Sequence, residues 1–144
     1  MGERQTEEEK WKCEIAARKG DLVTLQDLHK NGYKWDIHAC NAAAKNGHLD
    51  CLKFLLQNGC RCNQTTTAKA AKGGHLHIVK FLVENGYPYN EWACTKAAKY
   101  GHLDILMYLH ENGCQWDKES LLSAADNNHQ KCYEYLIKNG CPDE

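Results

Sequence analysis

The stretch Ala43-Ala-Lys-Asn-Gly-His-Leu49 returns as Ala70-Ala-Lys-Gly-Gly-His-Leu76 and again as Ala97-Ala-Lys-Tyr-Gly-His-Leu103, each time 27 residues further along the chain. The same step connects two series of glycines. These are Gly20, Gly47, Gly74 and Gly101, and Gly32, Gly59, Gly86, Gly113 and Gly140. A fixed period across nearly the whole chain predicts a repeat architecture. Such proteins usually act by presenting an extended surface.

One period, residues 36–62, predicts the structure of a unit. Residues 37–46 are rich in alanine and predict a short helix, which Gly47-His48 ends. Leucines recur at helical spacing through residues 49–58 and predict a second, amphipathic helix. Asn58-Gly59 closes it, because glycine readily takes the left-handed conformation that follows helix C-termini. The fold class is therefore predicted to be all-α, a helical repeat solenoid of five helix-turn-helix units.

The register divides the chain. We predict a charged leader over residues 1–10 and one repeat domain over residues 11–144, in units of about 11–36, 37–63, 64–90, 91–117 and 118–144. The last unit carries Gln130 on its apolar face where the other units have leucine. Terminal repeats are expected to differ in this way because one side meets solvent. Residues 140–144 enter a further period, which favours a segment of a longer array.

The overall charge restricts the class of partner. Lys and Arg number 18 and Asp and Glu number 19, so the composition does not favour nucleic acid or membrane. No apolar run approaches the roughly 20 residues that span a bilayer. Residues 1–10 lack the apolar core of a secretory signal. We expect a monomeric intracellular protein of the cytoplasm or nucleus.

The nine cysteines follow the repeat. Cys13, Cys40 and Cys94 share a register position with Thr67 and Leu121, which is the behaviour of a small buried hydrophobe. Equivalent residues in neighbouring stacked helices lie about 8–10 Å apart. A disulfide needs Cα atoms at roughly 4.4–6.8 Å, so we expect no bridge between equivalent cysteines of neighbouring units.

A histidine ladder begins the second helices. It consists of His48, His75, His102 and His129. We expect each ring to hydrogen-bond an inter-helix turn, because ligands at stacking distance cannot converge on one metal ion. A chance site of His48 and Cys51 with Cys60 or Cys62 is the alternative. The sequence predicts no metal and no cofactor.

Catalytic motifs are missing from the chain. It contains no Gly-x-Ser-x-Gly, no P-loop and no His-Glu-x-x-His. Cysteine and histidine are numerous enough for a thiol or acid–base enzyme, but their regular recurrence indicates a scaffold role. We therefore expect a non-enzymatic protein, with an enzyme as the least favoured alternative.

The unit resembles the ankyrin repeat. The resemblance rests on Ala-Ala-x-x-Gly-His-Leu, on the apolar pair three residues apart that follows, and on x-x-Asn-Gly, and it covers residues 11–141. The period is 27 residues, whereas about 33 is common, and residues 38–41 and 65–68 lack the family's Thr-Pro-Leu-His turn. The chain is similar to the short, finger-less variety of large DNA viruses and some protists, and a viral origin would place it in a host cell. The resemblance implies protein–protein recognition by the concave face of the first helices.

A basic pattern marks the candidate binding surface. Arg18, Lys45, Lys72 and Lys99 share the position after the alanine pair, and Lys69 and Lys96 lie one turn earlier on the same face. Tyr100 adjoins them. The functional interpretation is a groove for an acidic peptide or protein surface. The alternative is a row of solvated helix ends, where lysine favours the negative end of the helix dipole.

The tryptophans divide by register. Trp35 and Trp116 share an exit-loop position and are expected to pack against the next unit, while Trp11 is expected to cover the core of the first. Trp92 is off that ladder, and we predict it to be an exposed aromatic anchor for the partner. A nucleic-acid partner is not expected, because aromatic residues other than Tyr100 are not interleaved with the lysines. A structural spacer without binding activity is the alternative of a different class.

Overall fold

The computed structural model describes residues 9–143. That range holds ten α-helices and no strand. They are α1 Lys10–Lys19, α2 Leu22–Lys30, α3 Ile37–Lys45, α4 Leu49–Gln57, α5 Gln64–Gly73, α6 Leu76–Glu84, α7 Glu91–Lys99, α8 Leu103–Glu111, α9 Lys118–Asp126 and α10 Gln130–Lys138. The predicted all-α solenoid of five helix pairs is confirmed. Of the predicted leader, residues 1–8 lie outside the described residues, and Lys10 already belongs to α1.

Side-chain amides and carboxylates cap the helices at repeated positions. The first helix of units two to five starts behind a capping residue whose side chain accepts a backbone N–H two residues on, as Asp36 does from His38 at 3.0 Å. The second helix of each unit ends at an asparagine. The Nδ2 atom of this asparagine donates to the carbonyl oxygen four residues back, as Asn58 does to Phe54 at 2.8 Å. Both contacts satisfy backbone groups that a helix end leaves unpaired.

The core lies between a layer of first helices and a layer of second helices. The fully buried large side chains come almost entirely from the second helices, led by Leu25, Leu52, Leu82, Leu106 and Leu109. The paired alanines of the first helices are buried as well, apart from exposed Ala125 in the last unit. Because alanine is small, neighbouring first helices approach along most of their length, whereas neighbouring second helices touch only locally. We infer that the first-helix layer is the inner, concave side of the stack.

In the first four units, the turn between the two helices is filled by a histidine ring from the next unit. Gly74 follows α5 with φ +78°, and a Cβ placed there would lie 2.6 Å from Cε1 of His102. His102 Nε2 lies 3.2 Å from the Lys72 carbonyl oxygen, which confirms the hydrogen bond predicted for the ladder at this position. Glycine is therefore required at this position for two reasons: the backbone is left-handed, and the His102 ring occupies the space of a side chain.

The exit-loop tryptophans join neighbouring units. Trp35 stacks on His29 with ring centroids 4.6 Å apart and meets Phe54 of the next unit edge-on at 6.1 Å. Trp116 stacks on His110 at 4.0 Å and meets Tyr135 of the next unit in the same way. The prediction that these two residues pack against the following unit is confirmed.

Two expectations about the ends of the stack need correction. Trp11 does not cover the core of the first unit: it is 53% exposed, because the second residue of a first helix points away from the second helices. Gln130 is exposed and donates to Glu134 at 3.1 Å, instead of lying on a packed apolar face. The leucine at its position in unit four, Leu103, is partly buried against the core. No helix pair follows α10 within the described residues to cover Gln130.

Candidate interaction surface

The six predicted cationic residues all lie on first helices. Arg18, Lys45, Lys72 and Lys99 stand in the last turn of α1, α3, α5 and α7, and Lys69 and Lys96 lie one turn earlier on α5 and α7. We call these six residues the basic stripe. Arg18 and Lys45 are exposed and the other four are half-buried. Neighbouring packed helices are about 8–10 Å apart, so the stripe crosses four helices without interruption.

Lys69 lies in the middle of the basic stripe. Burial lowers the pKa of its ammonium group, and the charges of Lys72, Lys45 and Lys96 lower it further. Among residues 9–143, none of the five lysines has a carboxylate at ion-pair distance, whereas Arg18 pairs with Glu14 at 3.6 Å. Mutually repelling cations without counter-charges attract anionic groups, and this electrostatic arrangement is the main chemical property of the surface.

Tyr100 lies between two of these cations. The Nζ atoms of Lys72 and Lys99 are 5.4 and 5.7 Å from its ring centroid, which is cation–π distance. Desolvation opposes ionisation of the phenol, but the charges of Lys72 and Lys99 outweigh it, so the pKa of Tyr100 is lowered. The ring is 37% exposed. Tyr100 thus adds an accessible aromatic face to the charged surface.

The stripe also lines a groove. Arg18, Lys45 and Lys69 lie around a shallow opening of about 230 Å³ on the first-helix side, whose wall includes Glu14 and Asn41. Small-molecule pockets are usually larger, about 300–1,000 Å³, and enclose most of their ligand. This groove has the size and openness for single side chains of a larger partner.

Trp92 is placed on the same face as three other candidates. It is the second residue of α7 and 50% exposed, and Lys96, Lys99 and Tyr100 follow four, seven and eight residues later. That spacing puts all four on one side of the helix. The structure therefore brings the predicted aromatic anchor and the cations of unit four together.

The sequence reasoning missed Trp11 as a surface residue. It occupies the register position of Trp92 in unit one, shared with His38, Thr65 and Glu119, and it is exposed to a similar degree. Comparing register positions would have found it. In unit five, exposed Asp126 takes the stripe position, so the row of cations ends with unit four.

The alternative metal site lies away from this face. In the described part of the chain, no group of three or more His, Cys, Asp and Glu side chains is arranged to hold a metal ion. The alternative site around His48 and Cys51 is therefore not formed there. The His48 ring instead lies against Gly20 of the preceding turn. Within residues 9–143, no helix has the length and apolar character needed to cross a membrane.

The comparisons with known proteins agree with the geometry of the helix pairs. A family model described as ankyrin repeats (3 copies) matches residues 14–92 and again residues 70–143. The two matches overlap and together extend over almost the whole chain, as expected when one unit is repeated. No curated protein matches the chain at a significant level.

Proposed function

Because the chain belongs to the ankyrin repeat family, we propose that it binds an acidic protein surface or acidic peptide through its first-helix face. Ankyrin repeats are generally protein–protein interaction modules, and the family is generally non-enzymatic. The proposal of an acidic partner rests on the basic stripe, whose lysines have no carboxylate partner among the described residues.

The charge distribution supports this choice. The chain has a formal net charge of −1, so the stripe is a local feature balanced by acids elsewhere. Burial, and then the charges of the neighbouring lysines, lower the pKa of Lys69, and a partner carboxylate would offset the repulsion among those charges. Attraction of this kind mainly speeds association and weakens as salt shortens the Debye length, about 8 Å at physiological ionic strength.

Charge reversal on two faces tests the proposal. Lys72→Glu with Lys99→Glu changes the inner face, and Lys53→Glu with Lys80→Glu changes the outer face by the same net charge. The pairs are matched, because Lys53 and Lys80 also lie over aromatic rings, at 5.3 and 5.6 Å. The probe is a fluorescein-labelled glutamate-rich peptide, with binding followed by stopped flow and folding by circular dichroism.

The inner-face pair is expected to slow association by about 10-fold or more at low salt, while the outer-face pair leaves the rate nearly unchanged. Equal effects from the two pairs would show that the stripe is only a solvated surface. Absence of binding by the unmodified chain would instead favour the structural spacer.

Trp92 supplies the second contact of the proposal. Exposed tryptophans at interfaces commonly account for about 2 kcal/mol or more of the binding free energy. Trp92→Ala should therefore weaken binding of the peptide. Trp11→Ala is the matched control, because Trp11 has the same register position and a similar exposure. Its unit contributes only one cation to the basic stripe. Equal losses would mean that the contact does not centre on unit four.

We place the protein in a reducing compartment, cytoplasmic or nuclear, as a monomer. The nine cysteines are free thiols in the structure, which fits such a compartment. Light scattering coupled to size exclusion measures the oligomeric state directly. A concentration-dependent dimer would overturn the monomer.

A further inference from the structure

Two units carry a cysteine at both of the same two register positions. Cys40 lies on α3 and Cys60 in the loop after α4, and their sulfur atoms are 2.9 Å apart. Cys94 and Cys114 occupy the same two register positions two units later, and they are buried to the same extent as Cys40 and Cys60. Cys60 and Cys114 make the same second contact, each 3.4 Å from the carbonyl oxygen of a helix-capping residue.

The pairing is confined to these two units. The corresponding residues are Cys13 and Tyr33 in unit one, Thr67 and Tyr87 in unit three, and Leu121 and Cys141 in unit five. The sequence-based argument against disulfides concerned equivalent cysteines of neighbouring units. It does not apply to these contacts, which lie within one unit and join residues 20 apart.

We propose that Cys40–Cys60 and Cys94–Cys114 are two redox modification sites, which oxidised low-molecular-weight disulfides convert to intra-unit cystines. A disulfide bond is about 2.05 Å long, so the Cys40 and Cys60 sulfur atoms need to approach by only about 0.9 Å. This proposal is independent of the acidic partner.

The two thiols of each pair have different roles. Cys60 is 6% exposed and lines an open cleft of about 370 Å³ with Arg61 and Cys62, whereas Cys40 is fully buried. The hydrogen bond from Cys40 lowers the pKa of Cys60 and raises that of Cys40. Cys60 is therefore the attacking thiol, since thiolate character and access together govern exchange.

The reaction has two exchange steps. The Cys60 thiolate attacks one sulfur of the small disulfide, forming a mixed disulfide and releasing one small thiol. Cys40 then loses its proton and attacks the Cys60 sulfur, forming the cystine and releasing the second small thiol. Two electrons pass from the protein to the small disulfide, and the two protons from the cysteines end on the released thiols.

Cystine mapping of the complete chain tests the proposal. Fully reduced protein is incubated with oxidised glutathione under native conditions, quenched with acid, unfolded, alkylated with N-ethylmaleimide and mapped by mass spectrometry. Of the nine cysteines, the four in the two pairs should escape alkylation and five should react. Nine alkylated cysteines, or cystines joining Cys60 to Cys62 or one unit to another, would overturn the proposal.

Single substitutions test the order of attack. Cys40→Ala should accumulate glutathione on Cys60, whereas Cys60→Ala should leave buried Cys40 unmodified. Cys13→Ala is the matched control, because Cys13 shares the register of Cys40 but faces Tyr33, and both cystines should still form in it. The Cys94–Cys114 cystine reports folding in every variant of unit two. Equal labelling of Cys40 and Cys60 in the two variants contradicts the assignment of Cys60 as nucleophile.

Discussion

The turn at Gly74, in the interior of the stack, and the turn at Asn128, in the last unit, have the same backbone conformation but different surroundings. Their φ angles are +78° and +61°. The His102 ring lies where a side chain on Gly74 would project, whereas no following histidine ring reaches Asn128 among the described residues. Asparagine tolerates the left-handed region better than most side chains. The neighbouring ring, and not the φ angle alone, therefore makes glycine obligatory in the interior.

An interior unit and the last unit also differ at the start of their second helices. Leu103 in unit four is half-buried and packed on the core, while Gln130 in unit five is exposed and bonded to Glu134. This register position is therefore apolar in unit four, where a following unit covers it, and polar in unit five. Cooperative stability in such a stack comes from these joints between units.

The largest expected effect is at the interior turn. Gly74→Ala places a methyl group against His102, whose ring is held by the Lys72 carbonyl, and it also strains the backbone. We expect a loss of about 3 kcal/mol, roughly half from the left-handed conformation and half from the clash. Gly86→Ala is the control, because its φ is +77° and nothing lies within 4 Å of the added atom. Urea unfolding of Gly86→Ala should show a loss of only about 1–2 kcal/mol in the free energy of unfolding. Equal losses in the two variants would mean that the His102 ring does not contribute to the effect.

A second effect concerns local opening. The last helix pair has a neighbour on one side only in the described structure, so α10 should open before α6. In native-state amide exchange we expect the α10 amides to exchange about 10- to 100-fold faster than those of α6. Equal protection of the two helices would show that the joints do not limit stability.

The smallest effect distinguishes the two apolar positions. Leu103→Gln should cost about 1–2 kcal/mol, because a half-buried leucine loses part of its transfer free energy. Gln130→Leu should change stability by no more than about 0.5 kcal/mol, because the new side chain stays in solvent. Thermal unfolding of both variants measures the difference. A clear gain from Gln130→Leu would mean that α10 is covered in solution.

The 27-residue period allowed the features that recur from unit to unit to be predicted from the sequence. Gly74 and His102 recur with the same step, so their role at the turn followed from the sequence, and the shared face of Lys45 and Lys72 followed for the same reason. The exposure of Trp11 follows from the register position that it shares with Trp92, whereas the exposure of Gln130 could not be predicted, since it depends on which neighbour is present. The unit boundaries stay a prediction, because a tandem repeat can be divided at any phase.

A comparison of equivalent positions in neighbouring units could not reveal the Cys40–Cys60 contact, for a different reason. Its residues are 20 apart, which is not a multiple of the period, and only the folded exit loop brings them together. The partner-binding role of the basic stripe also remains a prediction. Register places a side chain on a face of the stack but does not say what binds there.

The reach of His102 back to Gly74 has a consequence for how such a gene can change length. Deleting residues 64–90 would join Asn63 to Glu91, and Asn63 already caps a first helix as Asn90 does. His102 would then fall on Gly47, a turn that already accommodates a histidine ring. Unequal recombination between repeats can therefore add or remove a whole unit while the contact between a histidine ring and the preceding turn is kept.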